Sequence, residues 1–344
     1  MNLDTVIEGI TQGRIATIAK ALSIVENETR QAGQLLDAIH DRLGQGHRIG
    51  ITGPPGAGKS TVTEGLVKEF RALGQKVAVV AVDPSSPFSG GALLGDRIRM
   101  ESVSLDPGVF IRSMSSRGYL GGLATTTAEV CDVLDAAGYE KIIVETVGVG
   151  QSEVEVAAAA DTTVLVLVPE SGDGIQTLKS GIMEVTDIFV VNKSDRPGAG
   201  RLAKEIEASL GYRRGAVPAG GTGHHGIRGL SPRPNTPTQS DSTWTPPVLG
   251  VIATSGEGIG SLGGEITRHR EWLIKSGRAE DRIIARARTR TQAAIERLVY
   301  QWIWEDLPTG EKLDKNLVRV KEGKASPYTL AAEIVTGIRE GMET

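Results

Sequence analysis

The sequence predicts an α/β protein: a mainly parallel sheet flanked by helices, with helical N-terminal and C-terminal extensions. Three observations point there. Short apolar runs recur along the chain with helix-compatible stretches between them. Those runs are continuous rather than alternating in apolarity, the pattern of strands covered on both faces. The first and last portions carry apolar residues at helical spacing instead.

Residues 1–45 read as a helical extension. Ile7, Ile10, Ile15, Ile18, Leu22 and Val25 recur every three to five positions, and Leu35, Leu36, Ile39 and Leu43 form a second stripe. The strand candidates follow: RIGIT (48–52), KVAVVAV (76–82), VFIRS (109–113), KIIVE (141–145), TTVLVLV (162–168), DIFVV (187–191) and VLGVIAT (248–254). They place an α/β domain over 46–275. Within it, 212–247 is rich in Gly, Pro, Arg and Thr and poor in large aliphatics, which predicts a long flexible loop. From 276 to 344 the pattern returns to helix, with a last helix starting after Pro327.

Composition narrows the function. The chain of 344 residues is 39% hydrophobic and 23% charged, which suits a soluble globular protein. A net charge of -4 gives no basic surface for general nucleic-acid binding. The one cysteine, Cys131, rules out an internal disulfide and speaks against a structural zinc cluster. No apolar run is long enough to span a bilayer. The amino-terminal residues lack the apolar core of a signal peptide.

The first strand ends in GPPGAGKST, residues 53–61, the pattern G-x-x-x-x-G-K-[ST] between a strand and a helix. Gly53, Pro54, Pro55, Gly56, Ala57 and Gly58 form a loop whose backbone N–H groups can curl around an anion, Gly56 and Gly58 offering no Cβ interference. The following helix aims its positive end at the same point. Lys59 can reach the β- and γ-phosphates, the Ser60 hydroxyl can ligate Mg²⁺, and Thr61 can hold the α-phosphate. The sheet is then that of a P-loop NTPase. Three acids follow the loop: Asp83 and Glu145 at strand ends, and Asp96 in LLGDRIRM. Ligands of open α/β sheets bind at carboxyl ends of strands, and magnesium takes a few carboxylates plus water and phosphate oxygens. One or two of these acids are expected to hold the ion or its waters, with Glu145 facing the water shell. Gly148 is placed to offer its N–H to the γ-phosphate. Gln151 either positions water or is a surface glutamine.

VVNKSD, residues 190–195, closes another strand and reads guanine. The Asp195 carboxylate can accept from the ring N1–H and the exocyclic amine, an arrangement adenine lacks. Lys193 can lie over the base. Asn192 can either bond the base's acceptor edge or brace the phosphate loop. Thr254, Ser255 and Gly256 of the ATSGEG loop complete the base site.

GPPGAGKST, AVDPSSPFSGGALLGDRIRM, SSRGYLGGLA, VETVGVGQSE and VVNKSDRPGA together closely resemble the MeaB/ArgK family of P-loop GTPases, bacterial relatives of the human methylmalonic aciduria type A protein. The resemblance runs from about residue 5 to 212 and from 244 to the end. It implies a cytoplasmic, homodimeric GTPase with Mg²⁺ and no tightly bound organic cofactor, GTP being its substrate. It further implies a chaperone that gates adenosylcobalamin loading of an acyl-CoA mutase, of the methylmalonyl-CoA mutase type, and protects that mutase. No nucleic acid and no membrane are implied as partners. In family terms Lys59, Ser60, Asp83, Asp96 and Glu145 match phosphate and magnesium positions, and Asn192, Lys193 and Asp195 match base-reading ones. SGDGIQTLKSGIME, residues 171–184, matches a segment that relays nucleotide state, with Asp173, Gln176 and Lys179 as candidates beside an ordinary solvated loop. Arg99 matches an arginine near the phosphates, or forms a surface salt bridge. GKASPYTLAAE matches the family's C-terminal dimerisation region. The 212–247 link is longer than the family's. The alternatives are a nickel-type metallochaperone GTPase, for which Cys131 and the pair His224–His225 are poor ligands, and a transport-linked kinase.

Overall fold

The computed structural model describes residues 2–27, 30–83, 100, 102–115, 123–146, 159–169, 181–213 and 243–340. Most of the expected 212–247 loop lies outside them. In chain order the elements are α1 (Leu3–Thr11), α2 (Ile15–Glu26), α3 (Arg30–Ala38), β1 (His47–Thr52), α4 (Lys59–Ala72), β2 (Val77–Asp83), β3 (Val109–Ser115), α5 (Leu123–Ala136), β4 (Lys141–Thr146), β5 (Thr162–Leu167), β6 (Ile188–Asn192), α6 (Ala199–Arg213), β7 (Val248–Val251), α7 (Ile259–Lys275), α8 (Arg278–Gln301), α9 (Thr309–Lys321) and α10 (Pro327–Glu340). The strands form one sheet in the order β3-β2-β4-β1-β5-β6-β7, and every pairing is parallel. The α/β fold with a parallel P-loop-type sheet is therefore as expected, each strand lying on one of the apolar runs. No helix among the described residues is long and apolar enough to cross a membrane.

Successive strand residues point to opposite faces, so a continuous apolar run feeds two cores. Ala78, Val80, Ile142 and Val144 meet α5 and the amino-terminal helices, whose Ile10, Ile18, Leu22 and Leu35 are fully buried there. Their neighbours Val77, Val79 and Ile143, with Ile49, Ile51, Val164 and Val166, meet α4 and α7 through Val62, Leu66, Phe70, Leu262 and Ile266. Leu165, Leu167, Phe189 and Val191 pack under Leu202 and Ile206 of α6. Each such aliphatic side chain contributes about 1.5–3 kcal/mol by leaving water. The chain divides into two compact units, Met1–Arg286 and Ala287–Thr344. In the second, α9 and α10 are joined by Arg319, which donates to both carboxylate oxygens of Glu333 at 2.7 and 3.2 Å.

Parallel pairing puts all carboxyl ends of the strands on one edge and all amino ends on the other. The amino edge is a buried polar floor. His47 Nε2 lies 2.8 Å from Thr162 Oγ1, which lies 2.8 Å from His269 Nδ1. His269 Nε2 is 3.3 Å from Asp187 Oδ1, and Arg282 of α8 donates to the same oxygen at 2.9 Å. Arg286, one turn further along α8, pairs with Asp161. Burial, followed by the neighbouring Lys141 ammonium, pushes the His47 pKa well below its ordinary 6.5. Burial opposes ionisation of Asp161 and Asp187, but Arg286 for the first, and His269 and Arg282 for the second, hold both below the usual carboxylate range.

All three shifts are depressions, so each contribution to stability is present above the unfolded pKa and lost as pH falls toward the folded one. The histidine acts first. Melting temperature is expected to start falling as pH drops below about 6.5, before carboxylates titrate near 4. A series of melts from pH 8 to 5 checks this, and His47→Gln should flatten the curve between 6.5 and 5.

Candidate nucleotide site

β1 runs straight into the glycine loop at the carboxyl edge. Gly53 has φ 139°, and a Cβ there would lie 2.1 Å from the Val166 carbonyl oxygen of β5, so only glycine lets the chain leave the sheet at this point. Gly58, at φ 85°, precedes the first turn of α4, and a Cβ on it would meet Asn192 Nδ2 at 2.4 Å. The first turn of α4 leaves N–H groups without helical partners, directed at the loop. Lys59 is buried, and its Nζ donates to the carbonyls of Gly53 at 2.8 Å and Pro54 at 3.1 Å. A cleft of about 550 Å³ opens here. Lys59, Ser60 and Thr61 line it together with Val82 of β2 and with Glu145 and Thr146 of β4.

Glu145 reaches this cleft because β4 lies beside β1, with Ile51 opposite Glu145. It is 6% exposed, a depth at which a carboxylate needs donors. Ser60 Oγ donates to Oε1 at 2.6 Å, and Thr63 Oγ1 donates to Oε2 at 2.7 Å. Thr63 went unnoticed in the sequence, although its spacing of three from Ser60 puts both on one side of a helix. The hydroxyl–carboxylate pair is a hard-oxygen donor set. It suits a Mg²⁺ ion, which keeps several waters and takes phosphate oxygens for the remainder. Among the described residues no group of three or more His, Cys, Asp or Glu side chains could hold a metal ion.

The two loops expected to read the base stand side by side because β6 pairs with β7, Asn192 opposite Val251. Asn192 braces: its Nδ2 donates to the Ala57 carbonyl at 2.8 Å, and its Oδ1 accepts from the Ala253 N–H at 3.2 Å. One buried amide thus ties three loops together. Lys193 follows at φ 56°, the left-handed region unusual for a side chain larger than glycine, and its Nζ lies 3.3 Å from the Gly56 carbonyl oxygen. Asp195 is exposed, three residues past the end of β6. Thr254, Ser255 and Gly256 form a turn closed on the Ile252 carbonyl, which accepts from the N–H groups of Ser255 at 3.1 Å and Gly256 at 3.0 Å.

Lys59, Ser60 and Glu145 are therefore brought together with the glycine loop, and Asn192 and Lys193 with its far side. Gly148, Asp96, Arg99, Gln151, Asp173, Gln176, Lys179 and the His224–His225 pair lie outside the described residues, as does the side chain of Asp83. Chemically, the loop's N–H groups and one ammonium can take a polyanion, and the oxygen pair beside them can take a hard cation.

The chain matches the family model of the methylmalonyl-CoA mutase-associated GTPase MeaB over residues 18–307. It is 40% identical over 339 residues to a provisionally named GTPase of Pyrococcus abyssi, 98% of each chain being covered. It is 32% identical over 346 residues to the mitochondrial methylmalonic aciduria type A homolog of Mus musculus, covering 94% of this chain and 77% of that one. A solved structure described as LAO/AO transport system kinase aligns with a TM-score of 0.60 at 29% identity, covering 98% of this chain and 99% of that one. The chain therefore belongs to the MeaB family of methylmalonyl-CoA mutase-associated GTPases.

Proposed function

We propose that this chain is a Mg²⁺-dependent GTPase that attends an adenosylcobalamin-dependent acyl-CoA mutase, gating loading of the mutase's cofactor and protecting it from inactivation. The observation that carries the nucleotide part is the cleft where Lys59, Ser60 and Glu145 meet and to which Asn192 ties the base loop. The family description, mutase-associated GTPase, supports the partner.

In this reading the Gly53–Thr61 loop, through the N–H groups of its non-proline residues, and the Lys59 ammonium bind the phosphates, Lys59 exchanging the Gly53 and Pro54 carbonyls for phosphate oxygens. Thr61 takes the α-phosphate and Gly148 the γ-phosphate. Ser60 would hold Mg²⁺, with one or two of Glu145, Asp83 and Asp96 holding the ion or its waters, and the ion would supply positive charge to offset that of the phosphates. Asp195 accepts from guanine, with Lys193 over the ring and Thr254, Ser255 and Gly256 at its edge. Water attacks the γ-phosphorus in line as the bond to the GDP oxygen breaks. Gln151 positions that water and Arg99 offsets charge. Asp173, Gln176 and Lys179 report the nucleotide state to the mutase. The stretch 276–344 forms a homodimer contact, for which the exposed Leu298, Leu317 and Val335 provide apolar surface.

Calorimetry with Mg²⁺ is expected to give GTP binding, none for ATP, and a Lys59→Ala loss of about a hundredfold, the worth of one charge-assisted hydrogen bond of about 3 kcal/mol. Wild-type chain with a non-hydrolysable GTP analogue should retain an acyl-CoA mutase, and Lys59→Ala should not. Equal heats for GTP and ATP overturn the nucleotide reading. Transfer of labelled γ-phosphate to an acceptor other than water would favour the kinase for which the solved structure is named.

A further inference from the structure

We infer that Thr63 is a positioning residue for the divalent cation, acting through Glu145 on Ser60. The inference rests on the reading of Ser60 and Glu145 as the cation side of the nucleotide cleft. Thr63 does not line that cleft, and nothing in the glycine-loop pattern includes it. It is fully buried, three residues beyond Ser60 on α4.

Ser60 Oγ donates to one oxygen of the Glu145 carboxylate at 2.6 Å while Thr63 Oγ1 donates to the other at 2.7 Å. Two hydroxyls of one helix face thus grip both oxygens of one carboxylate, and three consequences follow. A serine hydroxyl has one proton to donate, and here it is donated in the hydrogen bond to Glu145. Its lone pairs are then left for the cleft, as a hydroxyl that ligates a cation requires. The terminal torsion of a glutamate is broad and two-fold, so a bond to each oxygen narrows the swing of the carboxylate plane. The Thr63 bond fixes that plane. Lastly, a helical threonine can spend its proton on a carbonyl one turn back, and Thr63 gives its proton to Glu145 instead. The order of action is Thr63 to Glu145 to Ser60, with only Ser60 and Glu145 facing the cation.

Partners of this kind, once removed from a metal, typically alter affinity by 10–100-fold when lost. The test titrates Mg²⁺ by calorimetry into the full chain saturated with GDP. Thr63→Val keeps the shape and deletes the hydroxyl, and the Mg²⁺ concentration for half-saturation should rise by about tenfold or more. Thr63→Ser should restore it. Thr63→Ala serves if the valine variant does not melt cooperatively. In a Glu145→Ala background, Thr63→Val should change the midpoint by less than twofold. GDP affinity in EDTA is the control, because a merely disordered cleft would weaken it too. A Thr63→Val midpoint within twofold of wild type overturns the inference, as does a loss in EDTA equal to the loss in Mg²⁺. Both leave the GTPase reading standing. A wild-type chain whose GDP complex takes up no Mg²⁺ overturns the cation reading of Ser60 and Glu145, and the role of Thr63 with it.

Discussion

Asp195→Asn is expected to cost about 10⁴-fold in GTP affinity and to turn the site toward xanthosine triphosphate. Guanine presents two neighbouring donors, the N1–H and the 2-amine. A carboxylate accepts from both. An asparagine amide has one acceptor and one donating nitrogen, so its NH₂ would be set against the guanine amine, donor against donor. Xanthine carries an oxygen where guanine carries that amine, and the amide then fits again. The substitution should leave the fold alone. Asp195 is exposed, and surface changes of this kind usually stay within about 0.5 kcal/mol. Asn192 is the opposite case. It is buried and bonded to the phosphate loop and the ATSGEG turn, so changing it would mix base recognition with loop collapse. Calorimetry of the variant with GTP, ATP and xanthosine triphosphate, alongside a thermal melt, separates the two. A loss of GTP affinity under tenfold with an unchanged melt would mean that Asp195 does not read the base.

The sheet was legible because burial on both faces writes itself as unbroken apolarity. VAVVAV and VLVLV are strands for the same reason that they could be recognised. The longest overrun was VLGVIAT. Its strand stops at Val251, because the Ile252 carbonyl accepts from two N–H groups of the next turn and the chain reverses there. The phosphate loop was legible because its glycines obey local geometry. Contacts between distant residues were less so. Asn192 offered two partners on paper, and only the fold, which sets the end of β6 beside the phosphate loop, shows that it braces Ala57, 135 residues away. The polar floor was missed altogether. His47 and Thr162 are 115 residues apart, and Thr162 and His269 are 107 apart. Each looks like an isolated polar residue beside an apolar run until the strand order sets them side by side. Thr63 was missed for a different reason. It falls two residues past a motif that ends at Thr61, and only the structure shows that Glu145 joins it to Ser60.

Arg48→Ala is expected to destabilise the chain by about 3–5 kcal/mol, a loss large beside the usual stability of a domain. The Arg48 guanidinium is buried, with Nη2 2.6 Å from Asp132 and 3.8 Å from Asp135 on α5. Burial works against its charge, yet its acidic neighbours, Asp132 first and Asp161 further off, together more than offset that, and its pKa is held above the ordinary arginine value. Removing the arginine leaves the Asp132 carboxylate in the interior with its cationic neighbour gone, and that desolvated charge is the source of the cost. Asp135 suffers less, because it also accepts from the N–H groups of Gly44 and Gly46 at 2.7 Å and of Gln45 at 3.1 Å. The contrast supplies the control. Arg48→Met with Asp132→Leu removes both charges and keeps the volume, and exchanges of buried pairs for apolar groups are often neutral or stabilising. Urea unfolding of the single and double variants should therefore show a large loss that the second substitution largely restores. The effect also reaches the site: Arg48 is the second residue of β1, the strand that delivers the glycine loop. GTP binds only the folded chain, so excess Mg²⁺ and GTP should recover about 2.7 kcal/mol at a hundred times the dissociation constant. A single variant whose loss stays below about 1 kcal/mol would place the anchoring of α5 in its apolar face, Val130, Val133 and Leu134, rather than in the ion pair.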